Sequence, residues 1–304
     1  MKNISWLGAP INNFSQKIKN GLLGHAYLVG VHKGYGGEEL TLEIAKAALC
    51  KSPSEQGACG FCKACQLLDA NTHPDLYLIT ADGNQIKVDQ IRELCQKLTM
   101  TSQQGGRRVA VIYHSEQLNQ ASANALLKTL EEPGKDTLLL LQSDTPSRLM
   151  ATIKSRCQQV HFEAPSMEEI KTWLSTESGS ATDVTWCLPV MGGPLELALA
   201  LESERYSQLL QFRKDWVQSL SSGHLCASLI NVNEKQASDA LKVLYLILRQ
   251  KLIRQVDLDA LLRVKVTEFG MKVMDTYHKL SVMPTVNYLA LFNGFILEYN
   301  KLTR

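Results

Sequence analysis

Short apolar runs and amphipathic stretches alternate along the first half of the chain. Runs at 26–29, 75–80, 108–112, 137–142 and 158–162 predict strands. Val109–Ile112 and Leu138–Leu141 are apolar without interruption, as strands buried on both faces are. Helical periodicity predicts helices at 38–49, 89–99, 120–130 and 147–154 between them. Asp89 is placed to cap the second of these, and Pro133-Gly134 ends the third. Strands alternating with helices imply βαβ units and a parallel sheet covered by helices.

After Pro165 the pattern becomes helical only. Helices are predicted at 167–175, 194–201, 204–221, 233–253, 258–277 and 284–302, with breaks at Gly192-Gly193 and Ser221-Ser222-Gly223. Leu241, Leu244, Tyr245 and Leu248 form an i, i+3, i+4, i+7 stripe, read as domain core or as an oligomer contact. The expected organisation is an α/β domain over 1–165, a small helical lid over 166–207 and an all-α domain over 208–304. No internal repeat is visible.

Composition narrows the function. An apolar content of 45% suits packed cores, and a net charge of +2 gives no reason to expect wholesale nucleic-acid or membrane binding. No apolar run reaches the roughly 20 residues that span a bilayer. The N-terminus lacks a signal-peptide core, so a cytoplasmic location is expected.

Cysteines supply the first candidate chemistry. Cys50, Cys59, Cys62 and Cys65 form C-x8-C-x2-C-x2-C, with Gly57 and Gly60 to make the turns and Lys51 and Lys63 to offset thiolate charge. Four thiolates fill a closed tetrahedral site, which makes structural Zn²⁺ the expected ligand and an iron–sulfur cluster its rival. Cys95, Cys157, Cys187 and Cys226 are scattered and read as buried small apolar residues.

The second candidate is a phosphate-binding loop that has lost its chemistry. Leu28 to Glu39 lies between a predicted strand and a predicted helix, where G-x-x-x-x-G-K-[ST] would cradle phosphate. Gly34 and Gly36 are present, but Gly37 and Glu38 stand where the lysine and hydroxyl belong. A carboxylate would meet the polyphosphate, so ATP is not expected to bind well. Lys33 lies too early to replace the missing cation and is expected to face solvent.

Two further motifs identify a family. Asn124-Ala-Leu-Leu-Lys-Thr-Leu-Glu-Glu-Pro133 and Ser155-Arg156-Cys157 resemble the clamp-loader branch of the AAA+ ATPases, the subunits of bacterial DNA polymerase III. His25-Ala26 and Ile86–Leu94 also fit, and the cysteine cluster falls where the family inserts a zinc module, here about 50–66. The resemblance covers the chain to about residue 165; beyond that it rests on length and helical character.

The resemblance implies several things. Active members carry Asp-Glu at the end of the third strand, to position Mg²⁺ and activate water; Tyr113 and His114 stand there, and Glu116 comes two residues late. Leu195 occupies the place of a nucleotide-sensing arginine. No intrinsic ATPase is expected once these groups are gone. Arg156, flanked by Ser155 and Cys157, is implied to act in trans on a neighbour's ATP. The partners implied are gamma or tau ATPase subunits and a delta subunit in a hetero-pentameric ring, with the sliding clamp and primed DNA reached through the complex. The C-terminal helices are implied to form a collar. The rivals are an active gamma-type motor and a zinc-dependent DNA-binding protein, which the near-neutral charge opposes. Lys128 and Glu132 are read equally as a solvated i, i+4 pair or a contact with a neighbour, and Arg107 and Arg108 as surface charge before a DNA contact.

Overall fold

The computed structural model describes residues 4–178, 184–254, 259–280 and 286–303. Two compact units emerge: one of 4–178 with Gly193–Leu195, the other of 184–192 with 196–303.

The first unit is built on a five-stranded, all-parallel sheet: β1 (Ala26–Gly30), β2 (Leu76–Ile79), β3 (Arg108–Ile112), β4 (Thr137–Ser143) and β5 (Gln158–Gln159). The strand order is β2-β3-β4-β1-β5. Its helices are α1 (Gly8–Lys19), α2 (Gly37–Leu49), α3 (Lys63–Asp69), α4 (Val88–Thr99), α5 (Gln120–Glu131), α6 (Ala151–Lys154) and α7 (Met167–Ser178).

The expected parallel α/β sheet is present, and burial explains why it was legible. Val109–Ile112 and Leu138–Leu141 are fully buried, because both sheet faces are covered. On one face Leu28, Ala110, Ile112, Leu139 and Leu141 pack against Ile91, Leu94 and Leu98 of α4 and Leu126 and Leu130 of α5. Burying one such leucine is worth about 1.5–3 kcal/mol.

Three local expectations are corrected. The helix expected over 147–154 is a short turn at Pro146–Arg148 followed by α6, with extended Leu149 between them turned into the core. The fifth strand shrinks to Gln158–Gln159, an exposed edge. Asp89 does not cap α4, which begins one residue earlier: Lys87 N donates to Gln90 Oε1 at 2.9 Å, and Asp89 pairs with Arg92 instead.

Helix α1 carried no recognised signal. Gly8, Pro10 and two adjacent asparagines are poor helix formers. Packing stabilises it instead: Phe14 meets Tyr27 edge to face at 5.1 Å, and the preceding Trp6 meets Trp173 in the same manner.

Arg108 corrects a fourth expectation. It is buried rather than a surface charge or a DNA contact. Its guanidinium donates to the carbonyls of Leu98, Met100 and Lys135, which tie the end of α4 to the entry of β4. These carbonyls lose their partner in Arg108→Ala. Stability should fall by ~3 kcal/mol in urea unfolding; a loss below 1 kcal/mol would contradict this bonding.

The second unit contains α8 (Leu188–Met191), α9 from its Glu196 onward (Pro194–Leu201), α10 (Arg205–Ser222), α11 (Glu234–Arg254), α12 (Ala260–Leu280) and α13 (Tyr288–Thr303). Gly223 closes α10 in the left-handed region at φ 80°, as expected of a glycine just past a helix. Leu241, Leu244 and Leu248 are buried, so most of the predicted stripe serves the unit's own core. Arg205 clamps Asp239 through two 3.0 Å bonds, and Trp216 Nε1 donates to Ala240 O at 2.9 Å. The expected starts of the last two helices, at Leu258 and Pro284, lie outside the described residues. Among the described residues, no helix is long and apolar enough to cross a membrane.

Candidate functional site

The strand order brings together the C-terminal ends of β1, β3 and β4, the end at which parallel α/β sheets bind ligands. The loop after β1 leads directly into α2, with Gly36 as the N-cap at φ 90°, a left-handed conformation that favours glycine. Such a helix start attracts anions. Here Glu38 and Glu39 occupy the first turn themselves.

The loop is also packed by apolar groups. A Cβ on Gly36 would lie 3.1–3.5 Å from methyls of Leu7, Ile4 and Leu195. Leu195 N donates to Gly34 O at 3.1 Å, and Gly193 packs so closely that a Cβ there would stand 2.6 Å from the Gly34 backbone. Leu195 therefore sits on this loop. Lys33 is exposed.

The start of α2 and the end of β3 meet in space. Tyr113 extends the ladder of β3 by donating to Ile79 O at 3.0 Å. Burial, and then the charges of Glu38 and Glu39, push its phenol up to about 12. His114 turns the chain at φ 48°, ψ 50°, and its Nε2 lies 3.1 Å from Glu38 Oε1. The turn brings Glu116 back: its Oε1 is 3.9 Å from His114 Nδ1, and Asp144 Oδ2 is 3.5 Å from the same nitrogen. Glu116 is thus at the centre of the site, despite its late position in sequence. Asp144 was missed; its signal was the polar Gln142-Ser143-Asp144 that follows the apolar core of β4. Fully buried Gln142 organises both neighbours, accepting from His114 N and donating to Asp144 Oδ1, each at 2.8 Å.

The four clustered cysteines converge. Cys50 ends α2, Cys62 caps α3 and Cys65 lies inside it. Sγ separations are 3.9 Å for Cys50–Cys62, 3.9 Å for Cys59–Cys65 and 3.5 Å for Cys62–Cys65. A tetrahedral ion with bonds of about 2.3 Å needs sulfurs about 3.8 Å apart, so the donor set fits a metal ion. Gly60, at φ 80° with open space around it, makes the tight turn between the ligands. Burial raises the Cys62 thiol, but hydrogen bonds from the Lys51 and Cys65 backbones and the neighbouring sulfurs outweigh this and bring it down to about 6. Burial, with its thiol neighbours, pushes Cys65 up to about 12; a bound cation would pull the coordinating thiols down. Lys51 does not serve the thiolates through its ammonium, which donates to Gln104 O and Gly105 O at 3.0 Å.

Of the scattered cysteines, Cys157 and Cys187 are buried, and burial raises them to about 11 and about 12. Cys95 and Cys226 are half-buried, and Cys95 accepts from Thr129 Oγ1 at 3.1 Å.

Arg156 follows α6 and remains one-third exposed. Its Nε and Nη2 reach Glu131 Oε1 at 2.9 and 2.6 Å, and its Nη1 donates to Thr152 O at 2.9 Å. Ser155 Oγ donates to the same carbonyl at 3.2 Å. Glu131 of the motif helix is therefore engaged within the unit. Among the described residues, no ion pair joins Lys128 to Glu132.

The family model described as "DNA polymerase III, delta subunit" matches residues 7–166. DNA polymerase III subunit delta' of Pseudomonas aeruginosa is 46% identical over 153 residues, 50% of this chain and 47% of that protein. The same-named subunit of Escherichia coli K12 is 33% identical over 259 residues, 84% of this chain and 77% of that protein. A crystal structure of a DNA polymerase III gamma subunit-related protein from Thermotoga maritima superposes with a TM-score of 0.52 at 17% identity, covering 97% of this chain and 100% of that one. That likeness is one of fold.

Proposed function

The chain belongs to the DNA polymerase III subunit delta' family, and from that premise we propose that it is a non-catalytic member of a clamp-loader ring. One observation carries the reading: the phosphate loop and the end of β3 meet, and Glu38, Tyr113 and His114 stand where polyphosphate, Mg²⁺ and a general base would be handled. Phosphoryl transfer is catalysed by positioning and charge, and neither remains for ATP here. Leu195 over Gly36 further opposes nucleotide entry.

In this reading the AAA+ unit supplies structure and Arg156 supplies charge. Ser155-Arg156-Cys157 faces the ATP of a neighbouring gamma or tau subunit, and the guanidinium exchanges its Glu131 contact for the transferring phosphoryl group. Residues 166–207 act as a lid. The helices of 208–304 join a collar with the same partners and a delta subunit. The cysteine module over about 50–66 holds structural Zn²⁺. The complex loads the sliding clamp on primed DNA in the cytoplasm.

Two measurements test this. A fluorescent ATP analogue should bind the isolated chain at least 100-fold more weakly than it binds an active partner. Omitting the chain from a reconstituted loader should abolish clamp loading. Micromolar ATP binding with hydrolysis by the isolated chain would favour the motor reading; unimpaired loading without the chain would remove the proposed role.

A further inference from the structure

We propose that the vestigial nucleotide crevice is a second divalent-cation site, separate from the cysteine cluster, with His114 Nδ1, Glu116 and Asp144 as ligands to an ion of the Zn²⁺ class. The donors come from two segments, the turn after β3 and the residue after β4, and one ligand atom from each residue lies within 4.8 Å of the other two. Imidazole nitrogen beside carboxylate oxygens suits a divalent transition metal. Bonds of 2.0–2.2 Å would place such donors about 3.4 Å apart. The nitrogen already stands 3.5 Å from Asp144 Oδ2 and 3.9 Å from Glu116 Oε1.

The surroundings prepare each ligand. Glu38 faces the other ring nitrogen at 3.1 Å, so it can accept from an Nε2–H and leave the Nδ1 lone pair toward the carboxylates. This is the carboxylate–histidine–metal arrangement that fixes the tautomer in metal sites. Gln142 Nε2 holds Asp144 Oδ1, which leaves Oδ2 for the ion, while Gln142 Oε1 holds the His114 backbone in its left-handed turn.

Glu116 is the independent observation. Its side chain is only 10% exposed, and its Oε2 is buried with no hydrogen-bond partner among the described residues. A buried carboxylate oxygen without a partner is costly. The same carboxylate brings its Oε1 to 3.9 Å from the imidazole nitrogen, so a buried, incompletely satisfied acid stands beside the other two donors. A metal would tie the ends of β3 and β4 together by side chains, where an active relative's ion would be held partly through nucleotide.

The test uses the full chain, free of tags, with zinc in the cysteine cluster confirmed by elemental analysis. Co²⁺ is then added, followed by equilibrium dialysis and visible absorption. One further equivalent should bind, with d–d bands but without the thiolate charge transfer that exchange into the cysteine site would produce. His114→Asn, which tolerates the left-handed turn, and Glu116→Gln should each weaken binding at least tenfold. Glu38→Gln, at an exposed carboxylate that does not touch the ion, should weaken it about 10–100-fold. Circular dichroism and retained cysteine-site zinc establish that each variant is folded. Absence of the further equivalent, or its unchanged binding in folded Glu116→Gln and Glu38→Gln chains, would overturn the assignment.

Discussion

Arg156→Ala in a reconstituted clamp loader should lower ATP hydrolysis at the adjoining subunit's site by about 10³-fold or more, the scale at which trans-acting arginines contribute. DNA-stimulated turnover of the whole ring would fall less, because the substitution reaches one site alone. A single-site readout is therefore required, with the other ATPase sites inactivated. Arg156→Lys should not restore the rate, because an ammonium lacks the planar fork. The isolated chain should be little affected: the pair with Glu131 is substantially exposed, and such pairs contribute about 0–1 kcal/mol. Glu131→Gln gives the complementary arm. It frees the guanidinium and should leave hydrolysis near wild type, or raise it, if Glu131 only parks the arginine. Hydrolysis unchanged by Arg156→Ala would eliminate the trans role.

Removing the metal from the cysteine module should have the largest effect on stability. Binding of structural Zn²⁺ contributes about 10–16 kcal/mol in small zinc peptides, and much of it is folding free energy. Cys62→Ser, or a strong chelator, should remove one zinc per chain and raise hydrogen exchange by at least 100-fold across 50–69. The sheet should remain protected, since Leu138–Leu141 lie in a core remote in sequence and built without these residues. Wild-type chain that purifies without stoichiometric zinc would sink the assignment; a brown chromophore would favour the iron–sulfur alternative.

The buried sheet was legible because its information is local. An uninterrupted run such as Leu138–Leu141 can be satisfied only where both faces are covered. The cysteine cluster was legible because its ligands repeat at short spacing. Other features were hidden because distant partners create them. Nothing in Arg107-Arg108 reveals that the second arginine turns inward to meet carbonyls ten residues earlier and twenty-seven later. Glu116 looked misplaced because it falls two residues after the family's Asp-Glu position, beyond the end of the strand at Ile112. The left-handed His114 turns the chain there and brings the carboxylate back beside its own imidazole. Asp144 gave even less warning, since its role depends on Gln142 and on the adjacency of β3 and β4. Helix α1 is the reverse case, a weak local preference decided by the aromatic contacts of Trp6 and Phe14.

The packing around the loop that leads into α2 has an evolutionary consequence. A Cβ on Gly37 would already stand 3.1–3.2 Å from Val31 and from Gln142 Nε2, and Leu195 is lodged against Gly36. Reinstating the lysine would crowd the residue that now orients His114 and Asp144. Reinstating the carboxylates at 113 and 114 would put acidic groups beside Glu38 and Glu39. Each such substitution meets a neighbour that opposes it, so on the proposed reading hydrolysis is not gained one substitution at a time. On the proposed non-catalytic reading, the absence of hydrolysis would behave as a ratchet, held by neighbours packed around the loop.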